Sequence, residues 1–192
     1  MGANDKGQHG PVLKSRRLYL REFQLDDDRL IHELDSDPEV MRFITKGVPT
    51  PLEQIQKEIL PRILSYYSRI PPEGCWAAHI AATDEFVGWF HLRADRLEPD
   101  EMELGYRLKR YFWGHGLATE GSLALLNQAF GNWGHTRVCA RTLARNLASR
   151  RVMEKCGLVF IKEFFYGQDA CPGWTEEERR AVKYGVTADK WG

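Results

Sequence analysis

The chain has 192 residues, 43% apolar and 28% charged, an ordinary globular balance and enough length for one domain with a buried core. Its 27 basic and 27 acidic residues cancel, so no basic excess points to nucleic acid and no charge block points to a tail. No apolar run approaches the roughly 20 residues of a membrane span, so neither nucleic acid nor membrane is an expected partner.

Taken in chain order, residues 1–11 are polar and Gly-rich without a signal-peptide core. With the next few residues they read as a disordered lead over 1–15. Residues 17–23 alternate, with Leu18, Leu20 and Phe23 set against Tyr19 and Arg21, and predict the first strand. Asp26 can cap a helix to about residue 36. Asp37-Pro38 opens a short helix carrying Val40, Met41, Phe43 and Ile44, with Asp as N-cap and Pro at the first position. Thr50-Pro51-Leu52-Glu53 reads as a capping box for a helix bearing Ile55, Ile59, Ile63 and Tyr66, which Pro61 should kink or divide. Pro71-Pro72-Glu73-Gly74 is a turn, and residues 75–82 and 85–93 form an antiparallel pair about Thr83-Asp84. Residues 101–110 are a central strand, followed by a glycine turn and a helix to about residue 132. A strand over 137–142, a helix capped by Asn146 and ended by Gly157, and a strand over 158–166 come next. Thr175 to Glu178 is a second capping box or a turn, and Val182, Tyr184 and Val186 alternate as a final strand. The order is α/β with a largely antiparallel first half. Cys75, Cys139, Cys156 and Cys171 form no Cys-x-x-Cys pair, so neither a metal site nor a disulfide framework is expected. Reduced thiols in a cytoplasmic protein are the default reading.

The informative stretch is Phe112-Trp113-Gly114-His115-Gly116-Leu117-Ala118-Thr119-Glu120. Two glycines between a strand and a helix let the chain turn tightly and let an anion approach the main chain. The helix start beyond them offers unpaired N–H groups and the positive end of its dipole. Together these make a phosphate cradle, although a plain turn would carry the same residues. A dinucleotide-binding first strand is a poor fit. The strand before the turn carries Glu101, Glu103 and Arg107, where that fold has a continuous apolar run.

This stretch resembles the acyl-CoA loop of the GCN5-related N-acetyltransferases (GNAT). It is most similar to the branch that contains the RimJ/RimL ribosomal-protein N-terminal acetyltransferases, whose loop reads roughly Tyr-Trp-Gly-x-Gly-x-Ala-Thr-Glu. A second segment, from Asn146-Leu147-Ala148-Ser149-Arg150-Arg151 to Gly157-Leu158, matches as well. The resemblance implies a single α/β (α+β) domain over 16–192 with the GNAT fold: a mixed, mostly antiparallel central sheet with splayed central strands, flanked by helices. It implies acetyl-CoA as co-substrate, with no metal. The acceptor would be an amine, either a small molecule or a protein N-terminus. Dimers are frequent in that branch, so a homodimer is compatible with the resemblance.

Carried over residue by residue, backbone groups of Tyr106 and Leu108 pair with the pantetheine amides. The pyrophosphate lies on the N–H groups of Trp113, Gly114, His115, Gly116, Leu117 and Ala118, near the Thr119 hydroxyl. Many relatives have Gln or Arg where Tyr111 stands, which leaves Lys109 or Arg110 to supply that charge. Glu103 is the candidate base, and a salt-bridged, solvated strand residue is the alternative. Many relatives have a Tyr as general acid where Met153 stands, and Met cannot donate a proton. Ser149, matching a Ser of the ribosomal branch, is the candidate acid unless it merely bonds its own helix terminus. Asn146 caps its helix and can also hold the pantetheine arm. Arg150 or Arg151 can reach the 3′-phosphate, and Arg151 is preferred. His91 and His115 read as packing or surface residues, Trp89, Phe90 and Trp113 as core or pocket wall, and Cys156 as a small buried apolar residue. Residues 168–178, with Phe43, are expected at the acceptor mouth. The loss of Tyr at 153 also leaves open a non-catalytic acyl-CoA-binding protein.

Overall fold

The computed structural model describes residues 12–69 and 73–191. The expected lead over 1–11 and the Pro71-Pro72 part of the expected turn lie outside the described residues. Eight strands form one sheet: β1 (Leu13–Lys14), β2 (Leu18–Glu22), β3 (Gly74–Ile80), β4 (Phe86–Ala94), β5 (Met102–Leu108), β6 (Arg137–Leu143), β7 (Val159–Phe165) and β8 (Arg180–Thr187). Their order is β1-β2-β3-β4-β5-β6-β8-β7, antiparallel everywhere except between β5 and β6. The sheet starts before the expected boundary at residue 16. Leu13 pairs with Leu20, and the Val12 N–H bonds the Leu20 carbonyl at 2.9 Å, so part of the expected lead is an edge strand.

The helices are α1 (Asp28–Asp35), α2 (Pro38–Met41), α3 (Leu52–Gln54), α4 (Leu60–Leu64), α5 (Leu117–Gly131) and α6 (Leu147–Lys155). Asp37 caps α2 by accepting the Glu39 N–H, and Gly157 ends α6 at φ +77°. Asp27, not Asp26, stands at the start of α1. Its carboxylate accepts the Gln24 N–H at 2.7 Å and the Arg21 guanidinium at 2.6 Å. The expected capping box at Thr50 does not form, because the Thr50 hydroxyl turns to the buried Asp35 carboxylate at 3.2 Å. Pro61 has no N–H for the Lys57 carbonyl. The chain answers with a π segment, Ile55–Ile59, in which the Leu60 N–H bonds the Ile55 carbonyl. At Thr175 the capping box does form, on a 3₁₀ turn: the Thr175 N–H bonds Glu178 Oε2 at 2.8 Å and the Glu178 N–H bonds Thr175 Oγ1 at 3.2 Å.

Leu92, Leu104, Leu108, Leu125, Leu126, Val138, Met153, Val182 and Tyr184 belong to the main core, between the sheet and α5/α6. A second core, built on Phe23, Ile31, Leu34, Ile55 and Ile63, packs α1, α3 and α4 against the first half of the sheet. Among the described residues no helix is long and apolar enough to cross a membrane. All four cysteines are free and buried. Cys156 is 1% exposed and sits in the main core, as a small apolar residue would.

Candidate active site

The one parallel junction makes the site. β5 and β6 pair only at Met102–Val138 and Glu103–Cys139, after which they diverge. On its other side β5 stays paired with β4 up to Leu108. The Lys109 N–H bonds the Val87 carbonyl at 2.8 Å. In an antiparallel ladder hydrogen-bonded residues alternate, so 103, 105 and 107 bond β4, while the backbone groups of Leu104, Tyr106 and Leu108 point into the V. One of these is already used: the Leu108 carbonyl accepts the Trp113 indole N–H at 2.8 Å. Leu108 keeps its N–H for an incoming chain, and its carbonyl, with one lone pair engaged, keeps a second.

A cleft of about 560 Å³ fills the V. At one end lie Trp113, Gly114, Gly116 and the first residues of α5, Leu117, Ala118 and Thr119, with Asn146, Ser149 and Arg151 of the facing segment. Gly114 and Gly116 stand at φ +79° and +75°, a backbone region unfavourable for side chains. No side chain caps α5, so its first N–H groups stay available to an anion. His115 does not line the cleft; it is exposed, and its carbonyl accepts Arg17 Nη1 at 2.9 Å. Sequence reasoning missed Arg17. Its guanidinium lies beside the glycine loop, held by Glu120 at 2.6 Å, and Glu120 is held in turn by Ser15 at 2.8 Å. The two cations nominated for this charge have carboxylate partners as Arg17 does, Lys109 with Glu33 at 2.8 Å and Arg110 with Asp37 at 3.8 Å. No local pattern marks Arg17, because it comes from the bend between β1 and β2, about a hundred residues upstream.

At the other end lie Phe43, Trp89, His91, Glu103, Arg107, Arg141, Tyr166 and Cys171. Glu103 is not solvated: its side chain is 17% exposed and paired with Arg93 Nη2 at 2.5 Å. Burial raises its pKa, against the pull of Arg93. The Tyr106 hydroxyl reaches across the V to Ser149 Oγ at 3.0 Å. Ser149 thus meets a second hydroxyl, and burial holds the tyrosine pKa well above its ordinary value, so it stays a donor. Asn146 caps α6 by accepting the Ser149 N–H at 3.3 Å. Arg150 is spent on the Tyr184 hydroxyl and the Ala144 carbonyl, which leaves Arg151 exposed at the rim. Met153 is buried in the cleft wall.

The family model for the acetyltransferase (GNAT) domain matches residues 17–159. The chain belongs to the GNAT acetyltransferase family. It is 33% identical over 189 residues to the FsC-acetyl coenzyme A-N(2)-transacetylase of Aspergillus fumigatus, covering 94% of this chain and 78% of that one. An uncharacterised N-acetyltransferase of Bacillus subtilis, YnaD, is 25% identical over 93% of this chain and 98% of its own length. Among solved structures, an acetyltransferase from T. thermophilus superposes with a TM-score of 0.72 at 26% identity, covering 93% and 90% of the two chains. RimL, an alpha-N-protein acetyltransferase of ribosomal L7/L12 solved with coenzyme A, superposes with a TM-score of 0.77 at 15% identity over 94% and 99%, a likeness of fold alone.

The family is one of acetyltransferases that use acetyl-CoA. The structure brings Glu103, Tyr106, Leu108, Asn146, Ser149 and Arg151 to one GNAT cleft with Trp113, Gly114, Gly116, Leu117, Ala118 and Thr119. Phe43 and Cys171 line its other mouth, and Trp174 packs with them, which is where the loop over 168–178 was expected. His91, read from sequence as a packing or surface residue, is part of the wall.

Proposed function

We propose that this protein transfers the acetyl group of acetyl-CoA directly to a primary amine. The observation that carries the reading is the splay of β5 from β6, with Glu103 and Tyr106 on β5 and the Tyr106 hydroxyl meeting Ser149 across the cleft. The pantetheine arm pairs with the free backbone groups of Tyr106 and the Leu108 N–H as an added strand would. The pyrophosphate rests on the amides of residues 113–118 and the Thr119 hydroxyl, with Arg17 supplying positive charge. Arg151 takes the 3′-phosphate, and Asn146 steadies the arm while capping α6. Glu103, acting through a water, removes the ammonium proton, and its raised pKa suits it to that task. The neutral amine attacks the thioester carbon, and N–H groups of the V stabilise the oxyanion. The tetrahedral adduct then collapses: the C–S bond breaks, and the CoA sulfur leaves as thiolate with a hydrogen bond from Ser149, whose hydroxyl is backed by Tyr106. The proton still in excess on the nitrogen passes to that thiolate, giving the amide and free CoA thiol.

The relatives' names support two acceptor classes, a small-molecule amine (the N(2) transacetylase) and a protein N-terminus (RimL). A RimJ/RimL-like role and a cytoplasmic location remain our reading, the latter supported by the four free thiols. A homodimer would cover edge strand β7, whose Val159, Phe160, Ile161 and Phe165 are exposed. Release of free CoA thiol, followed with a panel of small amines and N-terminal peptides, tests the reaction. Tight CoA binding with no amine accelerating thiol release would leave an acyl-CoA-binding module instead. Arg17→Ala should raise the KM for acetyl-CoA about tenfold, the loss of one charge-assisted contact, with kcat little changed. An unchanged KM would remove Arg17 from the phosphate site.

A further inference from the structure

His91 stands opposite Gly105 in the β4–β5 ladder, and its ring lies over that glycine. A Cβ at position 105 would fall 2.5 Å from His91 Nε2 and 2.6 Å from Cε1. The missing side chain is therefore what lets the imidazole lie across β5. Trp89 stacks on the ring at 5.4 Å and fixes its plane. Nε2 is buried without a hydrogen-bond partner and lies 3.9 Å from Glu103 Oε2. A buried, unpartnered ring nitrogen is costly in a purely structural residue. An apolar ring would fill the same space without that cost.

We infer that His91 is a positioning residue, whose Nε2–H orients the Glu103 carboxylate and supports its ionised form once the cleft is occupied. The inference rests on the proposed role of Glu103 as base. Shifting either side chain by about 1 Å brings the pair within hydrogen-bond distance. The imidazole acts as a neutral donor: burial, with Arg93, Arg107 and Arg96 around it, holds its pKa well below the ordinary value. The other groups acting on Glu103 are Arg93 of β4, Asp95 and Arg96 beyond it, Arg141 of β6 and Tyr166 after β7. Of these Tyr166 alone is also a neutral donor, kept protonated by burial, and His91 is the neutral donor placed 3.9 Å from Oε2.

Carbon-13 NMR titration of the Glu103 carboxyl in the CoA-loaded protein tests this without knowledge of the acceptor, with the resonance assigned through Glu103→Gln. His91→Phe keeps a ring over Gly105 but removes the donor, and should raise the Glu103 midpoint by about one pH unit. Gly105→Ala displaces the ring and should raise it likewise. His91→Gln, which keeps an N–H donor, should hold the midpoint near that of the parent. Thermal melts and CoA titration establish that each variant is folded. An unchanged midpoint in His91→Phe overturns the inference, and if that variant does not fold, an unchanged midpoint in Gly105→Ala does so. The activity of Glu103→Gln judges the base role separately: an active Gln variant defeats that role, whereas an inactive one with an unshifted His91→Phe titration defeats only the positioning by His91.

Discussion

Replacing Glu103 by Gln lowers kcat at least about a hundredfold, the lower end of what a positioned acid–base group contributes. The affinity for CoA stays within about threefold, because the phosphate cradle lies at the far end of the cleft. The amide keeps the size of the side chain but loses the negative charge that accepts the amine's proton. In the parent enzyme the pH dependence follows from the raised pKa. A carboxylate base works only when ionised, so with Glu103 in the proposed role kcat/KM should fall as pH drops through the raised carboxyl pKa. That acid limb lies above the value of about 4.3 for a free glutamate. Stopped-flow or steady-state thiol release across pH, with CoA binding by calorimetry, separates the two effects. A Gln variant with parental kcat removes Glu103 from the chemistry.

The second large effect concerns the floor of the cleft. Arg141 and Asp95, whose side chains are 3% and 1% exposed, are bonded at 2.6 Å, and the same carboxylate takes the Cys139 thiol at 2.9 Å. Arg141 also lies over the Phe164 ring at 5.2 Å. Arg141→Met leaves the Asp95 carboxylate buried without its cation. Breaking such a pair costs about 3–5 kcal/mol, which is a fall in Tm of roughly 10 °C for a domain of this size. Burial by itself would raise the Asp95 pKa. Its hydrogen bonds from Arg141, Cys139 and the Leu97 and Glu98 N–H groups outweigh that and hold it at about 2. A depressed carboxyl pKa stabilises the fold above the unfolded value, near 3.9, and that stability is lost as pH falls toward 2. The gap between parent and variant should therefore be widest near neutrality and close below about pH 4. Urea melts at pH 7 and pH 3 read both values, and a gap independent of pH would mean that packing on Phe164 carries the loss.

Local rules account for much of what was legible before any coordinates. Asp37-Pro38, the glycines of the loop, the Asn146 cap and the Gly157 stop act within a turn of chain, so their outcomes follow from neighbours in sequence. Glu103, Tyr106 and Ser149 were reached through matched motifs, and the splay then brought them to one cleft. The misses share a different cause. Thr50 abandons its cap for Asp35, a carboxylate 15 residues away that also binds Arg107. Arg17 reaches the loop only because β2 lies beside the start of α5. His91 gains meaning only from Gly105 across the ladder.

The sequence by itself determined where strands and helices alternate, where two glycines bend the chain ahead of an uncapped helix, and which carboxylate stands on the central strand. Those features are written in spacing and in single residues whose backbone preferences are local. Tertiary structure alone decided that β5 and β6 part after two bridges, that a distant arginine bonds the glycine loop, and that an imidazole lies 3.9 Å from the candidate base. Each of these depends on long-range register, where burial and pairing between remote segments outweigh any local preference.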